Sequence, residues 1–141
     1  MYSTIIEALQ VYLQECPLLA GARLNVDFLP ARPLEYMISP SPVDEVLQAY
    51  VHGASMRQYV FVLASKSAID SGVAQNLANS GFYEQLAAWM AAQTKRRRLP
   101  ELPQGKQPLR IEAMSPGYLM SSTGTEGQYQ IQCRLIYFQK E

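Results

Sequence analysis

Histidine is nearly missing from this chain: His52 is the only one among 141 residues. It is the one side chain whose ordinary pKa lies near neutrality, so the scope for nucleophile–base pairs is narrow. Cysteine is almost as scarce. Cys16 and Cys133 fall at a helix end and in a strand, without the short spacing of a metal or redox pair, and both read as buried small hydrophobes. Charge is low at 17% and balanced, with twelve basic and twelve acidic residues. A dedicated nucleic-acid or anionic-membrane binder normally carries a lopsided field, so neutrality argues against one and leaves self-association easy. No apolar run approaches the roughly 20 residues a bilayer span needs, and a basic-then-apolar secretory pattern is missing at the start, so a cytosolic protein without membrane partners is expected. No glycine-rich loop with Lys-Ser or Lys-Thr follows a strand, and metal-ligand spacings are missing, so neither a cofactor nor a metal is expected.

What is present is apolar patterning. The composition is 48% hydrophobic, and a chain of this length buries roughly 68% of the surface exposed by its unfolded form, enough for one core and a single domain over 1–141. Ser3 can cap a helix in which Ile5, Ile6, Leu9, Tyr12 and Leu13 recur at helical spacing until Pro17. After Gly21, two short strands are expected at Leu24 to Phe28 and Leu34 to Ile38, separated by the Pro30 to Pro33 break. Ser39 to Pro42, with two prolines in four residues, reads as a loop. Val46 to His52 and Arg57 to Ala64 flank Gly53-Ala54-Ser55 and read as a hairpin. In the second of these, Tyr59, Phe61 and Leu63 face one way and Val60, Val62 and Ala64 the other, so a central strand is expected.

Helical spacing returns with Val73, Leu77, Phe82, Leu86, Trp89 and Met90, with Gly81 as a kink or break. The stripe Phe82, Leu86, Trp89 reads as core. Lys95 to Pro108 reads as an extended surface connector, and Leu109, Ile111 and Ala113 as a strand with one wet face. Gly117 to Leu119 opens a hairpin arm whose tip, Ser121 to Gly127, is polar and mobile. Tyr129, Ile131, Cys133, Leu135 and Tyr137 alternate with Gln128, Gln130, Gln132 and Arg134 as the clearest half-buried strand. The order helix, strands, helix, strands predicts an α+β fold: a mixed or mostly antiparallel sheet with two main helices packed on one face.

Candidate chemistry is sparse. His52 stands near Ser55, so an acyl-transfer base is one reading and a turn or interface histidine the other. A chloramphenicol acetyltransferase calls for His-x-x-x-Asp-Gly, whereas His52 is followed by Gly53-Ala54-Ser55-Met56-Arg57. Asp44 and Glu45 are adjacent and point apart on any regular element. Lys95-Arg96-Arg97-Arg98 suits a helix C-terminus, nonspecific DNA contact, or an acidic surface on a neighbouring subunit. Gln130 and Gln132 beside Arg134 suit a wet subunit interface, because amides hydrogen-bond without the desolvation cost of a charge.

Several stretches carry a resemblance: Gln58-Tyr59-Val60-Phe61, Asn76-x-x-x-Ser80-Gly81-Phe82-Tyr83-Glu84-x-Leu86-x-x-Trp89, Leu99-Pro100-x-Leu102-Pro103 and Tyr129-Gln130-Ile131-Gln132-Cys133. In this order they resemble a family of small phage head–tail proteins related to the tail terminators, sometimes mislabelled as chloramphenicol resistance proteins. The resemblance spans most of the chain and is weakest before Leu34. It implies a virion part and not an enzyme: helices backing a sheet, copies closing into a homo-oligomeric ring, expected as a hexamer, and partners in the tail tube protein and the head–tail connector. Assembly in the bacterial host cytoplasm is expected. Phe82, Tyr83, Leu86 and Trp89 match core positions of the family motif, and Glu84 and Arg134 match charged positions open to a subunit contact or an internal salt bridge. Ser39 to Val43, the arm from Ser115 to Gln128 with Tyr118 on it, and Lys95 to Lys106 are the expected docking segments.

Overall fold

The computed structural model describes residues 3–19, 22–27, 35–68, 73–123 and 126–140. It is an α+β fold, with two helices on one face of a seven-stranded mixed sheet. Gly21, Phe28, the Pro30 to Pro33 break, Leu34 and the tip at 124–125 lie outside the described residues, as do the side chains of Val73, Leu77 and the Asn76 to Ser80 part of the motif.

Helix α1 spans Ile5–Gln14. Its cap is Thr4, not Ser3: the Thr4 hydroxyl accepts from the Glu7 amide at 3.2 Å, and Glu7 Oε1 in turn accepts from the Ser3 amide at 3.2 Å. One orphan donor of the first turn and the amide just before the cap are thus satisfied reciprocally. A single 3₁₀ turn, Pro17–Leu19, follows. Strand β1, Arg23–Val26, lies parallel to β2, Glu35–Pro40.

Ser39 and Pro40 therefore belong to a strand and not to a loop. The Ser41 amide donates to the Val60 carbonyl at 2.8 Å. By strand alternation the Pro40 nitrogen then faces the opposite side, beyond Val26 where β1 has ended, and no ladder bond is lost there. Strand β3, Val46–Ala49, is shorter than the sequence pattern suggested, because Tyr50 to Ala54 close the turn: the Tyr50 amide donates to the Ala54 carbonyl, and Gly53 takes φ 88°.

The centre of the sheet is a ladder of two long strands, β4 (Ser55–Ala68) and β7 (Glu126–Gln139), paired antiparallel from Ser55↔Gln139 to Ala68↔Glu126. On the outer side of β4, β2 pairs with its far half and β3 with its hairpin end. On the outer side of β7, β5 (Lys106–Ala113) and β6 (Tyr118–Thr123) run in the same direction, as two lengths of one interrupted strand. Ser121–Thr123 and Glu126–Gly127 are thus ladder residues, which confines the hairpin tip to two residues.

Helix α2, Val73–Lys95, is continuous through Gly81. A Cβ at Gly81 would meet nothing, so this glycine serves no close approach, and the helix persists despite it. Phe61, Leu63, Ile131, Cys133, Leu135, Leu9, Leu13, Leu86 and Met90 form one buried cluster between sheet and helices. The Tyr83 hydroxyl, inside it, donates to the Tyr129 carbonyl at 3.0 Å and lies 2.6 Å from the Ser65 hydroxyl, tying α2 to both long strands. Burial pushes the Tyr83 phenol and the Cys133 thiol well up, and the Cys16 thiol up, so both thiols are held neutral.

Two further expectations change. Leu102 and Pro100 are buried, so the connector after α2 is pinned to the body. Leu109 is exposed and not inward, because the β5–β7 register slips between Pro108 and Arg110 and leaves it out of the alternation.

Candidate subunit interface

Sheet edges decide where another chain can add, since an unpaired strand exposes a row of donors and acceptors. The two outermost strands are closed by helix side chains. On β1, the Leu24 amide donates to Gln14 Oε1 at 3.2 Å, and Gln10 Nε2 donates to the Leu24 carbonyl at 2.9 Å. On β5, Thr94 Oγ1 donates to the Ile111 carbonyl at 2.8 Å and accepts from the Ile111 amide at 3.0 Å. Both helices thus supply substitutes for a next strand.

The other two edge lengths, β3 and β6, have no described strand beyond them. They carry most of the large exposed apolar side chains: Val46, Leu47, Tyr50 and the 98% exposed Val51 around β3, with Met114, Leu119 and Met120 around β6; Val26 on β1 and Leu109 on β5 are exposed as well. β3 sits at the Ser55 end of the ladder beside β4, and β6 at the Glu126 end beside β7. The two patches occupy opposite corners of the sheet.

The expected interface residues fall into two groups. Tyr118, Gln130, Gln132 and Arg134 share the sheet face that no described helix covers. Gln130 Nε2 donates to the Tyr118 hydroxyl at 2.7 Å, and Arg134 Nε donates to Glu112 Oε2 at 2.6 Å while its Nη1 reaches Gln58 Oε1 at 3.3 Å. Glu112 also holds Arg110 at 3.2 Å. The partner of Arg134 is therefore internal. Below this polar layer Val60 and Ala64 are buried, each opposite a longer cross-strand neighbour, Arg134 and Gln130 respectively. The Gln132 side chain is exposed while its backbone anchors the break between β5 and β6, accepting from the Met114 amide at 2.7 Å and donating to Ser115 Oγ at 3.1 Å.

Lys95, Arg96, Arg97 and Arg98 lie apart from that face, at the end of α2, all exposed and without an ion-pair partner among the described residues. The helix closes in a Schellman arrangement, with the Arg98 amide donating to the Gln93 carbonyl at 2.9 Å and the Arg97 amide to the Thr94 carbonyl at 3.1 Å. Arg97 takes φ 59° there, a left-handed conformation that glycine normally fills. The chain places a cation where backbone preference asks for glycine. Beside this turn, the ends of α1 and α2 enclose a cleft of about 470 Å³, lined by Tyr12, Trp89, Gln93, Arg96, Arg98 and Leu99. Its aromatic floor is the Tyr12–Trp89 pair, 5.4 Å between ring centroids, and the Tyr12 hydroxyl donates to the Arg98 carbonyl at 2.7 Å. Burial pushes the Tyr12 phenol up to about 12, opposed by a hydrogen bond with Gln93.

Trp89 is therefore only partly core; its other side borders the cleft, which the helical stripe did not reveal because it depends on where α1 ends. Glu84 is exposed on α2. His52 is exposed in the β3–β4 turn, and the Ser55 hydroxyl accepts from Arg57 Nε at 2.9 Å, so no described hydrogen bond joins the histidine to that serine. Among the described residues no three His, Cys, Asp or Glu side chains gather as a metal site, and no helix is long and apolar enough to cross a membrane. Searches against protein-family models and against curated proteins find no match for this chain.

Proposed function

We propose that this protein is a phage or prophage virion component that closes the end of the tail tube and joins it to the head connector as a homo-oligomeric ring. The observation that carries the reading is the contrast between edges: β1 and β5 are covered at Leu24 and Ile111 by Gln10, Gln14 and Thr94, while β3 and β6, with no described strand beyond them, present apolar patches at opposite corners. Two different patches at opposite corners favour a head-to-tail contact, and such a contact closes into a ring when its rotation divides a full turn. Each docking to a symmetric tube end is then repeated around the ring, so a modest patch per subunit suffices. The motif resemblance supplies the tube and the connector as partners. The work of the protein, on this reading, is noncovalent recognition.

The test is assembly. Light scattering coupled to size exclusion should give a discrete multiple of 15.8 kDa, and negative-stain images should show closed rings. Leu119→Asp with Met120→Asp should keep the fold by circular dichroism and abolish the ring, whereas His52→Ala should leave it intact. Phage lacking the gene should make overlong tails or unattached heads; normal particles would refute the reading.

A further inference from the structure

This neutral chain carries two local clusters of opposite sign, Asp44-Glu45 and Lys95-Arg96-Arg97-Arg98. Between β2 and β3, Pro42, Val43, Asp44 and Glu45 are all exposed in a connecting stretch. The stretch is held rigidly by its backbone: the Ser41 amide donates to the Val60 carbonyl at 2.8 Å, the Gln58 amide to the Glu45 carbonyl at 2.7 Å, and Gln58 Nε2 to the Asp44 carbonyl at 3.0 Å. Its polar backbone is thus turned inward to β4, and its side chains are presented outward. Within the subunit these acids do not reach the α2 arginines. Glu45 lies 3.8 Å from Arg57, an exposed and therefore weak pair, and Asp44 Oδ1 accepts from the Val46 amide at 3.3 Å.

The cleft between the helix ends has the opposite character. It offers two aromatic rings as floor, the Gln93 amide, and Arg96 and Arg98 on its rim, with Lys95 and Arg97 adjacent; Glu15 is its one acid. Its volume lies in the range of sites that take a small ligand or a short peptide segment. The Arg97 and Arg98 amides, bonded to the Thr94 and Gln93 carbonyls, hold that rim in place despite the left-handed backbone at Arg97.

We infer that the Pro42-Val43-Asp44-Glu45 segment of one copy docks in the Tyr12–Trp89 cleft of the next, with Asp44 and Glu45 against Arg96 and Arg98 and with Pro42 and Val43 over the rings. Charge complementarity selects the occupant: an apolar, doubly acidic segment tied to β4 by its backbone meets an apolar, cationic pocket, and the cost of ordering either surface is small. The two surfaces are distinct, so the contact is head-to-tail. The inference rests on the ring reading and names the side chains that set its polarity.

Charge exchange tests it. D44K/E45K and R96E/R98E should each fold by circular dichroism yet weaken self-association about a hundredfold in sedimentation velocity, because like charges then face each other. The quadruple variant, with the signs exchanged, should recover assembly. Val43→Cys and Gln93→Cys, carried on separate chains, should form an intermolecular disulfide on oxidation. Rings that form regardless of these charges would overturn the contact and leave the ring reading standing. A wild-type chain that stays monomeric at high concentration and yields no cross-link would overturn both. R96E/R98E that keeps its rings but loses affinity for a short labelled DNA duplex would assign the cleft to nucleic acid and overturn the contact.

Discussion

Thr94, on the last turn of α2, holds both backbone groups of Ile111, donating to its carbonyl at 2.8 Å and accepting from its amide at 3.0 Å. One hydroxyl thus substitutes for a strand that would otherwise pair at the middle of β5. Thr94→Val preserves shape and removes both bonds, leaving two partly buried polar groups without partners. The expected cost is about 1–3 kcal/mol, read as a lower urea midpoint, with light scattering rising as the edge opens to other chains. Thr94→Ser should keep most of the stability. Equal midpoints for the valine and serine variants would show that the edge needs no such cover.

The Tyr83 hydroxyl offers a second test, since it joins α2 to β4 through Ser65 and to β7 through the Tyr129 carbonyl. Tyr83→Phe should destabilise by about 1–3 kcal/mol, the cost of leaving buried partners unsatisfied. Gly117 packs so closely on the same side chain that a Cβ there would overlap it. Gly117→Ala should therefore destabilise by about 1–3 kcal/mol, and, because the nearest overlap is with the Tyr83 Cβ that alanine would keep, its effect should shrink in a Tyr83→Gly background. Additive effects would contradict direct contact.

Two positions should improve on substitution. Gly81 is helical with open space around it, so Gly81→Ala should add about 0.5–1 kcal/mol by limiting the unfolded chain. Arg97→Gly relieves the left-handed backbone at φ 59° and should raise stability by a similar amount, about 0.5–1 kcal/mol. If the arginine serves assembly, the same change weakens the ring while strengthening the fold. Differential denaturation and sedimentation on one preparation separate the two.

The long strands were legible because alternation decides them: Tyr129 to Tyr137 bury one face, and Tyr59 to Ala64 want burial on both, which fits a position between β2 and β7. Punctuation misled where tertiary context overrode it. Pro40 reads as a breaker but sits at an end where its missing amide has no strand to serve, and Gly81 reads as a break but lies in a helix held by packing on its following turns. The polar face with Gln130, Gln132 and Arg134 follows from period-two spacing. The edge covers at Leu24 and Ile111 and the cleft at Trp89 do not, because each needs residues 10 to 86 apart in sequence to meet. No local pattern records such meetings.

Alkaline pH should unfold the protein earlier than its neutral-range stability suggests. Burial raises the Tyr12 phenol from 10.0 to about 12 and raises Tyr83, Tyr36, Tyr59, Tyr137, Cys16 and Cys133 as well. In each case the charged form is disfavoured in the fold, so the unfolded chain releases its protons first. The stabilisation is complete below the unfolded values, near 9.0 for the thiols and 10.0 for the phenols, and is lost as pH rises toward the folded ones. Urea midpoints should be flat up to about pH 9 and fall steeply between about pH 10 and 12. Tyr12→Phe should flatten part of that fall, since phenylalanine has no proton to lose, even though it removes the bond to the Arg98 carbonyl and lowers the plateau. An unchanged slope in that variant would mean that Tyr12 ionises as freely in the fold as outside it.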